Sequence, residues 1–367
     1  MIGILKMYKE IGSEFWQEKR KNINNDSFIK STEKEVFLLS GRTALDYIIR
    51  DAKKTYGLKT IWLPSYCCHS MISPFIKNGV GIKFYPVYFN GANLIFEMEK
   101  ISSDEALYIM QYFGFMREYP EIVRDISKQV NLVIEDRTHV AFCKNNDTNS
   151  LDFIDYSYSS FRKWTFLPGL ALAKKENGEF SLMPPTKINN KYVNIRINSA
   201  HQKYEYMHKN IGEKEVFLEG FSLAEDILDK DYYNYASDEE SINIFNQLDL
   251  KAIKKARRSN ALVLLKGLHN SQIMTPIFST LRENDIPLFI PMVVDVRYRN
   301  KLRNYLAQNA VYCPIHWPLS NLHYELSDEQ KKLYNEELSL ICDQRYTGQD
   351  IKKIIHLIQK FEENLIK

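Results

Sequence analysis

The chain has 367 residues, 44% of them hydrophobic and 26% charged, so it is a folded globular protein, and two domains are the first expectation at this length. Its 49 basic and 46 acidic side chains leave a net charge of only +3, which offers no handle for nucleic acid or an anionic membrane surface. The five cysteines, Cys67, Cys68, Cys143, Cys313 and Cys342, show no metal-ligand spacing, and no run approaches the ~20 apolar residues of a membrane span, so a reduced, soluble, cytoplasmic protein is expected.

Residues 1–35 are polar and rich in Asn and Lys apart from Phe15 and Trp16, and read as an N-terminal arm packed on something larger. Lysines interrupt its first apolar residues before a signal-peptide core can form. The first strong unit starts at Val36. An apolar run leads into the turn Ser40-Gly41-Arg42-Thr43 and then into a helical pattern from Ala44, with apolar positions three and four apart. Ser40 is a good N-cap, Gly41 lets the backbone approach a ligand, and Arg42 adds positive charge where the first turn leaves its N–H groups free for an anion. An ordinary capped helix carries the same signature.

Strand-like runs recur at 60–63, 81–85, 106–110, 130–134, 153–158 and 169–173, separated by helix-length gaps. This alternation predicts an α/β domain with a mainly parallel, covered sheet over 36–250. In such sheets ligands sit beyond the C-terminal strand ends, and Ser40-Gly41, Pro64-Ser65, Asp136 and Lys163 all fall there. Residues 189–230 are helical, 231–241 form a Tyr-rich loop, and 249–268 are a second long helix whose Lys/Arg face is solvated. A strand at 287–294, a helix at 297–309, a strand and its exit at 311–318 and an amphipathic helix at 349–366 complete a smaller α/β unit, 251–367.

The stretch Asp155 to Gly169 delivers Lys163 to a turn closed by Pro168 and Gly169. Alone it fits an amine nucleophile or an ordinary strand-end lysine. Asp136 ends an apolar strand two strand-like runs earlier. A lysine to bond an aldehyde and an aspartate to pair with a pyridine nitrogen are what pyridoxal phosphate requires, and the Ser40–Thr43 turn with Ser159 or Ser160 can receive its phosphate.

The ordered set resembles the DegT/DnrJ/StrS family of sugar aminotransferases, over most of the chain from about Val36 to Ile366. Ser40-Gly41-Arg42-Thr43-Ala44-Leu45 is similar to that family's phosphate turn, and Glu135-Asp136-Arg137-Thr138-His139 to its Glu-Asp-x-x-(His or Gln) element. Ser159-Ser160-Phe161-Arg162-Lys163-Trp164 resembles the Schiff-base segment of one branch, and residues 313–318 and 339–346 resemble that branch's C-terminal domain. The resemblance implies the fold-type-I, aspartate-aminotransferase-like architecture, with Lys163, Asp136 and His139 as catalytic residues. It also implies Ser40, Gly41, Arg42, Thr43, Tyr66, Ser160 and Asn234 around the cofactor, and a homodimer that shares its active sites. The implied reaction moves an amine from an amino-acid donor such as glutamate to a keto sugar, nucleotide-linked, in polysaccharide or related sugar biosynthesis. A lyase or dehydratase of the same fold and a non-catalytic relative are the alternatives, and Lys163 argues against the dehydratase branch, which carries histidine there.

The departures are specific. The family follows its lysine with Gly-Gly, whereas only Gly169 is present here. Asn234-Tyr235-Ala236-Ser237 keeps the Asn that a neighbouring subunit lends to the phosphate but lacks the accompanying Arg, a charge that Arg42 is expected to supply. No aromatic stands at the ring-stacking position, where Cys68 falls, so Tyr66 or His69 is expected there. His316-Trp317 reads as a loop of the small unit, and Arg345 as an ion pair or a ligand for the donor carboxylate.

Overall fold

The computed structural model describes residues 10–17, 30–98, 101–143 and 153–366, so that residues 1–9 and 18–29 of the expected arm lie outside the described residues. The first half of the chain runs β1 (Ile11–Gly12), β2 (Glu35–Leu38), α1 (Gly41–Tyr56), β3 (Thr60–Pro64), α2 (His69–Lys77), β4 (Gly81–Tyr85), a hairpin of β5 (Val87–Phe89) and β6 (Leu94–Phe96), β7 (Ala106–Met110), α3 (Glu121–Ser127), β8 (Leu132–Asp136), β9 (Tyr156–Ser160) and β10 (Ala171–Lys175). It continues through α4 (Asn190–Lys209), α5 (Lys214–Lys230), α6 (Glu239–Asn246), α7 (Leu250–Gly267), β11 (Met274–Pro276), β12 (Ile290–Val294), α8 (Val296–Gln308), β13 (Val311–Tyr312), α9 (Asp328–Glu336), β14 (Glu337–Leu340) and α10 (Gly348–Ile366).

Seven strands form the main sheet in the order β2-β10-β9-β8-β7-β3-β4. Only β10 is reversed: it is antiparallel to both β2 and β9, whereas β9, β8, β7, β3 and β4 pair in parallel. Every other strand therefore ends on the same edge. The central strands β7, β8 and β9 are buried at every residue, as expected of a sheet covered on both faces. β11, β12 and β14 form a second, antiparallel sheet.

Local chemistry explains the boundaries. Ser40 caps α1 by accepting from the Thr43 N–H at 3.2 Å, and Gly57 stops the helix in the left-handed conformation at φ 66°. The helical stretch 189–230 is broken in two because Asn210 (φ 56°) and Gly212 (φ 82°) turn the chain back, laying α5 against α4. The loop expected to reach 241 ends sooner, since Asp238 caps α6 by accepting from Ser241 N at 2.8 Å. Asp51 of α1 is fully buried against the sheet, where it accepts from Tyr156 Oη (2.6 Å) and Lys175 Nζ (2.9 Å) of β9 and β10 and from Ser181 N (2.6 Å). The five cysteines form no disulfide. Among the described residues no helix is long and apolar enough to cross a membrane.

Candidate active site

The pocket opens where the parallel strands end. Its wall is made by Ser40, Gly41 and Arg42 at the start of α1, Cys68, Ser70 and Met71 around the start of α2, and Asp136, Thr138 and His139 at and after the end of β8. Tyr158, Ser160, Arg162 and Lys163 from β9 and the turn after it, Glu225 and Leu228 from α5, and Trp317 close the ring. Seven expected residues thus meet: Lys163, Asp136, His139, Ser40, Gly41, Arg42 and Ser160.

Thr43, Tyr66 and Asn234 are outside that wall. Thr43 is buried and donates its hydroxyl to the Tyr232 carbonyl at 2.8 Å. Tyr66 is fully buried, donates to the His316 carbonyl and packs its ring 5.2 Å from Trp317, so it backs a pocket residue. Asn234 sits at φ 58° and accepts from Arg50 Nη2 at 3.3 Å.

Lys163 ends the single turn Phe161–Lys163 that follows β9. Trp164 anchors that turn from beneath, fully buried, with its Nε1–H donating to the Thr138 carbonyl at 2.7 Å. The lysine side chain is open to solvent through the pocket, yet protein surrounds it closely enough to disfavour its ammonium. Burial lowers its pKa and the Arg162 charge lowers it further, against the opposing pull of Glu225 and Glu14. Among the described residues Lys163 has no hydrogen-bond or ion-pair partner. An amine held toward its neutral form with its lone pair unengaged is a nucleophile toward a carbonyl carbon.

Asp136 closes β8. Its Oδ1 accepts from the Thr138 N–H at 2.7 Å, and its Oδ2 lies 2.8 Å from both Tyr108 Oη and Tyr158 Oη. Burial raises its pKa and these hydrogen bonds work against the rise. His139 accepts the Phe113 N–H at its Nδ1 (3.1 Å), which places the ring hydrogen on Nε2. Burial, reinforced by the Lys163 charge, pushes its pKa down to about 3, so the imidazole is neutral. Trp317 stacks on it at 5.5 Å and 27°.

The opposite wall is a charge cluster that the sequence did not announce. Both oxygens of Glu225 are taken by Arg162, Arg42 lies 3.6 Å away, and Arg42 also pairs with Asp229. Burial works to raise the Glu225 pKa, but the charge and hydrogen bonds of Arg162, with Lys163 and Arg196, hold it far below the ordinary carboxylate range. Arg196, beneath, meets Glu14 of the arm segment at 3.1 Å. Glu225 is one of several acids on α5, and only its place over the β9 turn distinguishes it. Tyr158 and Trp317 read as packing and as a loop residue for the same reason.

The turn after Lys163 accounts for the missing second glycine. A Cβ on Gly169 would lie 2.8 Å from the Leu39 carbonyl oxygen, so glycine is required there. The next residue, Leu170, puts its side chain into an apolar cluster with Phe37 and Trp164. Ser241 Oγ donates to Asp238 at 2.6 Å and accepts the Gly169 N–H at 2.8 Å, and Ser237 donates to the Gly169 carbonyl at 2.8 Å, closing the turn. Arg345 pairs with Asp343 at 2.8 Å, the ion-pair alternative, and lies away from the pocket wall.

No family model and no curated protein matches the chain. Solved structures do. PseC of Helicobacter pylori, an aminotransferase involved in the biosynthesis of pseudoaminic acid, is similar at TM-score 0.64 and 12% identity over 97% of this chain and 100% of that one. DesV of S. venezuelae gives 0.59 and 13% over 90% and 85%, and the PLP form of Spr1654 from Streptococcus pneumoniae, a candidate sugar aminotransferase, gives 0.62 and 16% over 92% and 88%. The chain has the aminotransferase fold. The chain shares the expected mixed, mainly parallel sheet with them, and at such identities the likeness speaks for architecture.

Proposed function

We infer that the protein is a pyridoxal-phosphate-dependent aminotransferase that moves an amine from an amino-acid donor, glutamate or a similar acid, to a keto sugar, nucleotide-linked. One observation carries this reading: an unpartnered lysine, a buried aspartate and an open helix N-terminus face one pocket at the C-terminal edge of a parallel sheet. The residues suit the cofactor. The first turn of α1 carries no acidic side chain, and although Ser40 takes the Thr43 N–H, the N–H groups of Gly41 and Arg42 are left to receive a phosphate beside Ser40 and Ser160. A Cβ on Gly41 would come within 3.2 Å of Ser160 Cβ, a close approach that favours glycine where the turn meets β9. Lys163 would bond the aldehyde, Asp136 would pair with the ring nitrogen and His139 would lie against the ring.

When bound, the cofactor supplies an electron-accepting ring that stabilises a carbanion at the substrate carbon. The chain does the rest. Lys163 would also serve as the base that moves the proton, work that its lowered pKa suits. Arg42 contributes positive charge at the phosphate end from within the subunit. The likeness to Spr1654, a candidate sugar aminotransferase of this fold, supports a sugar acceptor. The protein works as a homodimer, a reading favoured by Asn234, which stands outside its own pocket and is available to a neighbour's. Light scattering at twice the chain mass checks the dimer.

The decisive experiment is spectroscopic. Cofactor-free protein given pyridoxal phosphate turns yellow, and borohydride fixes the colour on the Lys163 peptide. Lys163→Ala loses the fixation and the amine transfer, and Arg42→Ala weakens cofactor uptake about tenfold, as expected for loss of one charge-assisted contact. A protein that stays colourless at millimolar cofactor is instead a binding relative of the fold. A panel of keto sugars with glutamate then separates transfer from elimination.

A further inference from the structure

The floor of the pocket holds an oxygen triangle that joins Asp136 to two phenols, to which the reaction outlined above gives no role. Asp136 Oδ2, Tyr108 Oη and Tyr158 Oη are 2.8, 2.8 and 2.6 Å apart, all three sides at hydrogen-bond distance. Three such sides need three hydrogens. The two phenols bring two, and an ionised Asp136 leaves one side as two lone pairs pressed together. Tyr108 and Asp136 are at most 2% exposed and Tyr158 is 4% exposed, so the triangle is almost wholly withdrawn from water. Burial holds both phenols well above their ordinary range, which keeps their hydrogens in place.

Among the described residues no cation is paired with Asp136. Tyr108 faces it from β7 and Tyr158 from β9, His139 is neutral, and Lys163 forms no ion pair with it. Cys67 and Cys68 before α2 and Glu135 beside it on β8 carry only negative or neutral forms. Among the described residues Asp136 makes no ion pair, and an unpaired buried carboxylate is costly enough to take up a proton.

We propose that Asp136, Tyr108 and Tyr158 form a proton-holding triad, in which the cofactor-free protein keeps Asp136 as a carboxylic acid and three hydrogens close the triangle. The ligand class it suits is a heteroaromatic base with a ring nitrogen acceptor. On binding, the O–H bond of Asp136 breaks, an N–H bond forms on the ring, and Asp136 is left as the carboxylate that pairs with it, with no electron transferred. That second step rests on the proposed function, whereas the first does not. The site thus brings the ring proton with it instead of drawing it from water.

Infrared difference spectroscopy on cofactor-free protein labelled with ¹³C-aspartate tests this. The wild type at pH 7 shows a protonated-carboxyl stretch that Asp136→Asn lacks, and Tyr108→Phe and Tyr158→Phe each shift it by removing one hydrogen-bond partner. If Asp136→Asn fails to fold, the Tyr158→Phe shift makes the assignment. A spectrum with no such band, or one that neither phenylalanine variant moves, overturns the triad. Added pyridoxal phosphate removes the band as the protein turns yellow, and a yellow protein that keeps the band overturns the transfer. A colourless protein with the band upholds the triad while defeating the cofactor reading.

Discussion

At His139 the cost of burial becomes a pH dependence. Its folded pKa near 3 lies below the ordinary value of 6.5, so between those values the unfolded chain binds the extra proton. Stability from this group is complete above pH 6.5 and falls by up to about 1.4 kcal/mol per pH unit as pH drops toward 3. His139→Gln, neutral throughout, should flatten that slope, measured by urea unfolding at pH 7 and pH 5. An unchanged slope would assign the acid sensitivity to His316 and His323, whose pKa values burial also lowers. Single residues were unevenly readable beforehand. Lys163, Asp136 and Ser40 could be found because each sits at a strand end or a turn, and a backbone event marks such positions in sequence. Tyr158, Glu225 and Trp317 could not, because their importance comes from what approaches them across tens to hundreds of residues. Tyr66 illustrates the limit: its type suited the cofactor, but its side chain is packed behind Trp317.

Among the elements, α1 has the most to position, since its first turn forms the pocket and its middle must hold it there. Asp51 does the holding through Lys175, Tyr156 and Ser181. Removing one member of a buried ion pair strands the other, so Asp51→Ala should cost about 3 kcal/mol by chemical denaturation. Lys175→Met with Asp51→Leu should recover part of that loss, and a double variant no better than the single would argue against the pairing. The amphipathic pattern of α1 was plain, with Leu45, Ile48, Ile49 and Ala52 all buried. The hairpin β5–β6 and the short β11 were missed because runs of three residues carry too little period-2 signal.

Across the whole molecule, the segment 10–17 acts as a tie. β1 pairs in parallel with β13, Tyr346 Oη receives the Gly12 N–H at 2.7 Å, and Arg345 donates to the carbonyls of Ser13 and Glu14 at 3.2 and 2.9 Å. Lys203 reaches the Glu14 carbonyl at 2.5 Å while the Glu14 carboxylate meets Arg196 below the Lys163 turn. Arg345→Ala should therefore cost about 3 kcal/mol and speed proteolysis near residues 10–17. A higher KM for the amino donor with stability intact would instead revive the carboxylate role for Arg345. The sequence by itself determined the alternation of strands and helices, the one-sided alignment of strand ends and the placing of Lys163 and Asp136 at those ends. These follow from periodicity and turn chemistry, which act over a few residues. Only the tertiary structure decided which side chains complete the pocket, how the β9 turn closes with one glycine, and that Asp136 shares its oxygen with two phenols. Those depend on distances between strands and helices far apart in the chain, which packing sets and no local pattern encodes.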